Sequence, residues 1–307
     1  MSDNSTLVLF GAKGNLSRIK LIPGLFHLDE AGKLPDEMKI LSVGRQSVSQ
    51  EDWVSTVKSM LDEKFNNQYD QKVFERFINR NIYHANLPED PNAFKKFSEL
   101  LLYDDRFPKN FAFFLSVRPS DFALIVDQLA KVKLLNETQY WRRVLIEKPF
   151  GTDLKSAIEL QASISKHLKE TQIYRIDHYL GKSALQNILW TRFSNSIFEH
   201  MWNNEHIDHI QITNHETLGV GERTQFYDAT GALRDMTQSH LLQMLALSTM
   251  EKPKSFSPND IRIEKIKLLK SIRPIPIDNI EKFAFRAQYK SGVIEKEGNV
   301  KGYLEEL

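Results

Sequence analysis

The sequence predicts an α/β fold: a doubly wound parallel sheet at the N-terminus, followed by an incomplete α+β segment. Three observations lead there. Short apolar runs alternate with amphipathic helical patterns from Thr6 to Leu168. A glycine-containing turn ends the first apolar run and opens the first helical pattern. After Arg175 that alternation gives way to a stretch rich in His and aromatic residues.

The elements follow in order. Thr6–Phe10 (TLVLF) is a continuous β-prone run that stops at Gly11. Residues Asn15 to Glu30 are amphipathic, with Leu21, Leu25 and Leu28 on one side and Gly32 as a stop signal. Lys39–Val43 reads as a second buried strand. Trp53, Val54, Val57, Met60 and Leu61 form a helical stripe. Ile82–Ala85, Phe111–Leu115 and Val144–Glu147 are further strands, with helices near Asn92–Leu102, Ser120–Ala130 and Leu154–Leu168. Strands that are apolar throughout, separated by helices, belong to a parallel sheet covered on both faces. Beyond the boundary near Asp177, His206–Glu216 (HIDHIQITNHE) alternates like a half-exposed strand, and a long helical pattern runs from Asp228 to Met250. The tail from Phe256 is charged and suggests no compact domain of its own. The predicted domains are therefore 1–177 and 178–307.

Composition narrows the function classes. Apolar residues at 41% and charged residues at 26% fit a globular chain rather than a disordered one. Lys plus Arg (41) against Asp plus Glu (40) leaves a formal charge of +1, too little for a bulk field that gathers nucleic acid or an anionic membrane. No apolar run approaches the ~18 residues of a membrane span. The opening MSDNSTLVLF lacks the basic region of a signal peptide. With no cysteine there is no disulfide, thiol nucleophile or thiolate metal site. A cytoplasmic protein with neither nucleic-acid nor membrane partners is expected.

Gly11-Ala12-Lys13-Gly14-Asn15-Leu16 joins the first strand to a helix. In a Rossmann domain such a turn lets the backbone and the helix amides approach a pyrophosphate. The spacing is GxxGxL rather than GxGxxG, and a plain β–α connection uses the same residues. Arg45 follows the second strand, where an acidic residue holds the ribose of NAD and an arginine can pair the 2′-phosphate of NADP. The position favours NADP, although a solvated loop arginine would look the same. Lys148, in Glu147-Lys148-Pro149-Phe150-Gly151, stands where the fifth strand ends, beside the ligand crevice of such a sheet, and the Lys–Pro bond is a candidate cis peptide.

Tyr174-Arg175-Ile176-Asp177-His178-Tyr179-Leu180-Gly181-Lys182 gathers imidazole, hydroxyl and ammonium donors suited to a phosphate dianion. With the Glu-Lys-Pro element upstream, the chain resembles the glucose-6-phosphate dehydrogenase family, from the N-terminal glycine turn to Gly302-Tyr303-Leu304-Glu305-Glu306. The resemblance implies NADP-dependent oxidation of glucose 6-phosphate to 6-phosphogluconolactone, the first step of the oxidative pentose phosphate pathway. It assigns His178, Tyr179 and Lys182 to the sugar phosphate, Lys148 to substrate and cofactor, and Glu216 and Asp235 to sugar hydroxyls. It makes His240 the catalytic base and Asp177 its carboxylate partner, with no metal.

Blander readings of the same residues stay open. His240 lies on a helix stripe with Leu233, Met244 and Leu247, as a core histidine would. Asp177 and His178 could be a domain-junction pair, and Glu216 a solvent-facing strand residue. His206, His209 and His215 alternate along one segment without a clear ligand geometry.

Four positions depart from the family pattern: Asn15 replaces an Asp but keeps a polar cap, Arg118 replaces a proline, Ser183 follows Lys182, and Ser239 precedes the base. The chain stops at Leu307, where the family continues. The resemblance therefore implies an incomplete second sheet and puts the homo-oligomer typical of the family in doubt. It leaves as an alternative a truncated, inactive homologue that only binds NADP and sugar phosphate.

Overall fold

The apolar runs of the first part become one six-stranded sheet. Its strands are β1 (Thr6–Phe10), β2 (Lys39–Gly44), β3 (Asn81–Ala85), β4 (Phe111–Leu115), β5 (Arg142–Ile146) and β6 (Ile173–Arg175). They lie in the order β3-β2-β1-β4-β5-β6, every pair parallel. This is the doubly wound arrangement, with the reversal of strand order between β1 and β4. In the computed structural model, residues 4–86, 91–215, 219–221, 224–294 and 298–307 are described. The chain divides into two compact units, Met1–Ile176 and Asp177–Leu307.

Alternation along each strand feeds two cores. Val8 and Phe10 point into one, with Phe113, Val144, Phe94, Phe97 and Ile125. Leu9 and Ile40 point into the other, with Phe26, Trp53 and Phe77. Helices α1 (Ile22–Glu30), α2 (Gln50–Phe65), α3 (Gln71–Arg80), α4 (Pro91–Tyr103), α5 (Phe122–Lys131) and α6 (Leu154–Ser165) cover the sheet. Two elements go beyond the sequence reading. β6 is only three residues long with two exposed side chains, too short for a periodic signal. The stripe of α3, with Phe74 and Phe77 buried, lies in an otherwise polar segment.

The second unit contains α7 (Ser183–Phe193), α8 (Ser196–Met201), α9 (Thr224–Ala232), α10 (Leu242–Thr249), α11 (Pro258–Ser271), the antiparallel hairpin β7 (Gly292–Ile294) and β8 (Gly298–Val300), and α12 (Tyr303–Glu306). Two expectations are corrected here. Residues 206–215 are not a strand; they are mostly exposed and make no ladder hydrogen bonds among the described residues, so no neighbouring strand fixes them as one. The helix expected over Asp228–Met250 is broken at Gly231 (φ +70°) and continues as π-helical turns over Leu233–Leu241 before α10. The charged tail from Phe256 opens with the helix α11. Ser257 caps α11 by accepting from the Asp260 amide, Pro258 stands at its first turn, and Ile261 and Leu268 pack on the core. No helix among the described residues is long and apolar enough to cross a membrane.

The turn after β1 is held by the sheet itself. The amides of Gly11 and Ala12 donate to the Val43 carbonyl of β2, at 3.0 and 3.1 Å. Gly11 has φ +80°, and a Cβ there would lie 2.0 Å from the Ser116 carbonyl oxygen just past β4. Only glycine meets both constraints. Gly11→Ala should therefore destabilise the first unit by roughly 2–4 kcal/mol. Urea unfolding followed by Trp53 fluorescence tests this, and an unchanged midpoint would contradict it.

Candidate active site

In the first unit, the residues picked out by sequence gather at the carboxyl ends of β1, β2 and β4. The Gly11 carbonyl accepts from the Gly14 amide (2.9 Å) and the Ser17 hydroxyl (2.8 Å), closing the turn. Lys13, Gly14, Asn15 and Leu16 are exposed on its outer side, while Ala12 is buried. Asn15 does not cap the helix as expected. It already lies in the first helical turn, and its side-chain oxygen accepts from Arg18 at 3.4 Å. Lys13 Nζ donates to Gln46 Oε1 at 2.9 Å, and Arg45 Nη2 pairs with Asp121 Oδ2 at 2.7 Å. Arg118, one of the departures from the family pattern, shares the same carboxylate at 3.4 Å. Arg45 and Arg118 thus bracket one buried acid, with Lys13 joined to the neighbouring Gln46. Lys148 is exposed after β5, and the Lys148–Pro149 bond is cis.

In the second unit, Asp177 and His240 meet. His240 is 1% exposed, and its Nδ1 lies 2.7 Å from Asp177 Oδ1. Asp177 also accepts the Tyr179 amide at 2.9 Å, capping the 3₁₀ turn His178–Gly181 and fixing the carboxylate. The buried Tyr179 ring stacks on His240 at 4.1 Å with an 11° interplanar angle, and its phenol donates to Asn214 Oδ1 at 3.2 Å. His178 meets His240 edge-on, with ring centroids 4.8 Å apart. Lys182 Nζ sits 3.5 Å from the centre of the Tyr179 ring. Asp177, His178, Tyr179, Lys182 and His240 thus form one cluster. The Asp177 carboxylate and the His178 and His240 imidazoles each have an atom within 4.8 Å of the others, whereas His206 and His209 pair locally with Asn203 and Asp208.

The winding of the helix that carries His240 matters. On an α-helix, residues five apart are rotated by about 140° from each other. π winding closes its turn between i and i+5 instead, which is the spacing of Asp235 and His240. The Ser239 hydroxyl donates to the Asp235 carbonyl inside this turn. Glu216, the other expected sugar-contacting acid, lies outside the described residues.

Sequence reading missed what holds α10. Buried Arg192 of α7 donates to the carbonyls of Leu247 (2.7 Å) and Met250 (2.9 Å), and the Trp202 indole donates to Ser248 (2.8 Å). These bonds satisfy the orphan carbonyls of the α10 C-terminus. Burial lowers the pKa of Arg192 to about 10, so it stays charged at neutral pH.

Comparison with known proteins decides the family. Residues 8–187 match the family model described as "Glucose-6-phosphate dehydrogenase, NAD binding domain", and residues 189–307 match "Glucose-6-phosphate dehydrogenase, C-terminal domain". The chain belongs to the glucose-6-phosphate dehydrogenase family. It is 41% identical to the glucose-6-phosphate 1-dehydrogenase of Chlamydia pneumoniae and 40% identical to that of Bacillus subtilis, over 98% and 95% of its own length. It spans 59% of the length of each of these relatives. A solved structure titled as a glucose-6-phosphate dehydrogenase in complex with its substrate glucose-6-phosphate superposes with a TM-score of 0.87 at 34% identity. That match covers 99% of this chain and 61% of the other. The glucose-6-phosphate 1-dehydrogenase of Mycobacterium avium gives 0.81 at 33% identity, over 89% of this chain and 57% of that one.

The Arg192 bracing makes a stability prediction for this family member. Arg192→Met should cost roughly 3 kcal/mol, the scale of lost charge-assisted bonds to buried carbonyls. It should also speed hydrogen exchange in α10. Equal exchange in wild type and variant would show that α10 does not depend on Arg192.

Proposed function

We propose that the chain oxidises glucose 6-phosphate at C1 to 6-phosphogluconolactone with NADP as hydride acceptor, the first step of the oxidative pentose phosphate pathway. The observation that carries this reading is the hydrogen bond between Nδ1 of the buried His240 and Oδ1 of the half-buried Asp177 beside His178, Tyr179 and Lys182. Removing hydride from a hemiacetal carbon requires that the proton of its C1 hydroxyl leave to a base. With Nδ1–H donating to Asp177, Nε2 of His240 is the nitrogen that takes that proton. The carboxylate then stabilises the imidazolium that forms, and the C1–O bond becomes the lactone carbonyl.

The substrate's phosphate is assigned to His178, Tyr179 and Lys182, and its hydroxyls to Asp235 and Glu216. The cofactor is assigned to the first unit, with the turn Gly11–Leu16 at the pyrophosphate and Lys148 reaching both cofactor and substrate. Bound NADP supplies the hydride acceptor. The donor set suits its extra phosphate. Arg45 and Arg118 share one carboxylate and leave an excess of positive charge and N–H donors at the end of β2.

The test is NADPH formation by the purified chain with glucose 6-phosphate. Turnover is expected, and His240→Asn should lower kcat by roughly 10²–10⁴, the worth of a positioned base, with a smaller change in sugar binding. Glucose should bind far more weakly than glucose 6-phosphate, and near-equal affinities by calorimetry would remove the phosphate assignment. Arg45→Ala should weaken NADP much more than NAD. A folded wild-type chain that binds NADP but forms no NADPH would overturn the reading in favour of a binding-only homologue.

A further inference from the structure

The acid that Arg45 and Arg118 share is not explained by its own helix. Asp121 ends the 3₁₀ turn Pro119–Asp121 and stands at the N-cap position of α5, yet its side chain accepts nothing from the amides of that helix. The carboxylate turns instead to the end of β2. There Oδ2 accepts from Arg45 Nη2 at 2.7 Å and from Arg118 Nε at 3.4 Å. Oδ1 accepts from Arg118 Nη2 at 3.4 Å and from the Ser120 hydroxyl at 3.2 Å. The Asp121 side chain is 12% exposed, against 46% for Arg45 and 71% for Arg118, so the acid lies beneath two guanidinium groups that reach solvent.

In a Rossmann domain the group at the end of the second strand sets the choice of dinucleotide. An acid there accepts the ribose 2′-hydroxyl of NAD, and an arginine pairs the 2′-phosphate of NADP. This chain has the arginine in that position and an acid delivered to it from the turn after β4. The two preferences are joined in one ion pair, and their charges act in opposite directions. A carboxylate accepts from a neutral hydroxyl, but it repels a phosphate and engages the arginine that the phosphate needs. Such an acid reduces the difference between the two affinities, and that difference is the specificity.

We propose that Asp121 is a specificity-determining residue that narrows the preference for NADP created by Arg45. It accepts the ribose 2′-hydroxyl of NAD when Arg45 turns away, and it gives Arg45 up to the 2′-phosphate of NADP. In the second case Arg118 keeps the buried carboxylate paired, because a buried acid left alone is costly. This rests on the reading of the first unit as the NADP site and names the group that sets how strictly that choice is kept.

The experiment titrates the full 307-residue chain with NADP and with NAD by calorimetry, without sugar, so that both affinities are read without turnover. The wild type should bind both, NADP the more tightly. Asp121→Asn, which keeps the shape and removes the charge, should weaken NAD and tighten NADP. Each change should be roughly tenfold, the lower end of the worth of a hydrogen bond to a charged group. Asp121→Glu, which keeps the carboxylate, should stay close to wild type with both. The opposite directions matter, because losing a purely structural ion pair would weaken both cofactors together. If Asp121→Asn does not fold, Asp121→Ser provides the same comparison. Wild-type binding of NADP but not of NAD overturns the proposal, as do affinities that stay put or fall together in the folded neutral variant. A wild-type chain that binds neither cofactor overturns the functional reading as well, whereas NADP binding without the reciprocal change overturns this proposal alone.

Discussion

The hydrogen bond between His240 and Asp177 is the constraint around which the second unit is arranged. His240 is withdrawn from water and Asp177 is half-buried, and a buried imidazole needs a partner that stays in place. The surrounding structure supplies that fixity from several directions. The 3₁₀ turn pins the carboxylate through the Tyr179 amide, and the Tyr179 ring lies flat on the imidazole. Arg192 and Trp202 secure the far end of the helix that carries His240. On the proposed reading, remote residues such as Arg192 would matter for chemistry, because a positioned base loses its advantage when its geometry relaxes.

The first unit works by a different principle. Its turn at Gly11 is dictated by backbone contact with Ser116 and by the sheet, so the glycine would be needed there with or without a ligand. What is specific to a phosphate ligand is the charge around it. Arg45, Arg118 and Lys13 crowd the ends of β1, β2 and β4, while one carboxylate, Asp121, partly neutralises them. That acid keeps the two guanidinium groups from repelling each other and orients them. The departure at Arg118 therefore adds to the cationic set.

Much of this was legible in the sequence, for reasons that differ by element. The long apolar strands and the stripe of α2 report directly on burial, because a parallel sheet covered on both faces leaves no polar alternation to interpret. The Tyr174–Lys182 run was informative through its residue types, and Asp177, His178, Tyr179 and Lys182 do come together with His240. The second unit was harder to read. π winding over Leu233–Leu241 leaves no mark in an apolar stripe that suits an α-helix equally well, so neither the break at Gly231 nor the change of winding is legible there. The alternation of residues 206–215 was real, but alternation yields a strand only where another strand accepts its hydrogen bonds. The start of α11 was written plainly in Ser257, Pro258 and Asp260, and was overlooked because the stretch is rich in charge.

Directly testing the central pairing requires a measurement on His240 itself. Nitrogen-15 spectroscopy of the histidine side chains reports which ring nitrogen carries the proton in the neutral form, and that is set by the hydrogen bond the other nitrogen forgoes or makes. In the wild-type chain His240 should hold its proton on Nδ1, facing Asp177, and in Asp177→Asn that preference should be lost. A neutral His240 protonated on Nε2 in the wild type, or a tautomer indifferent to Asp177→Asn, would contradict the assignment of His240 as a carboxylate-oriented base.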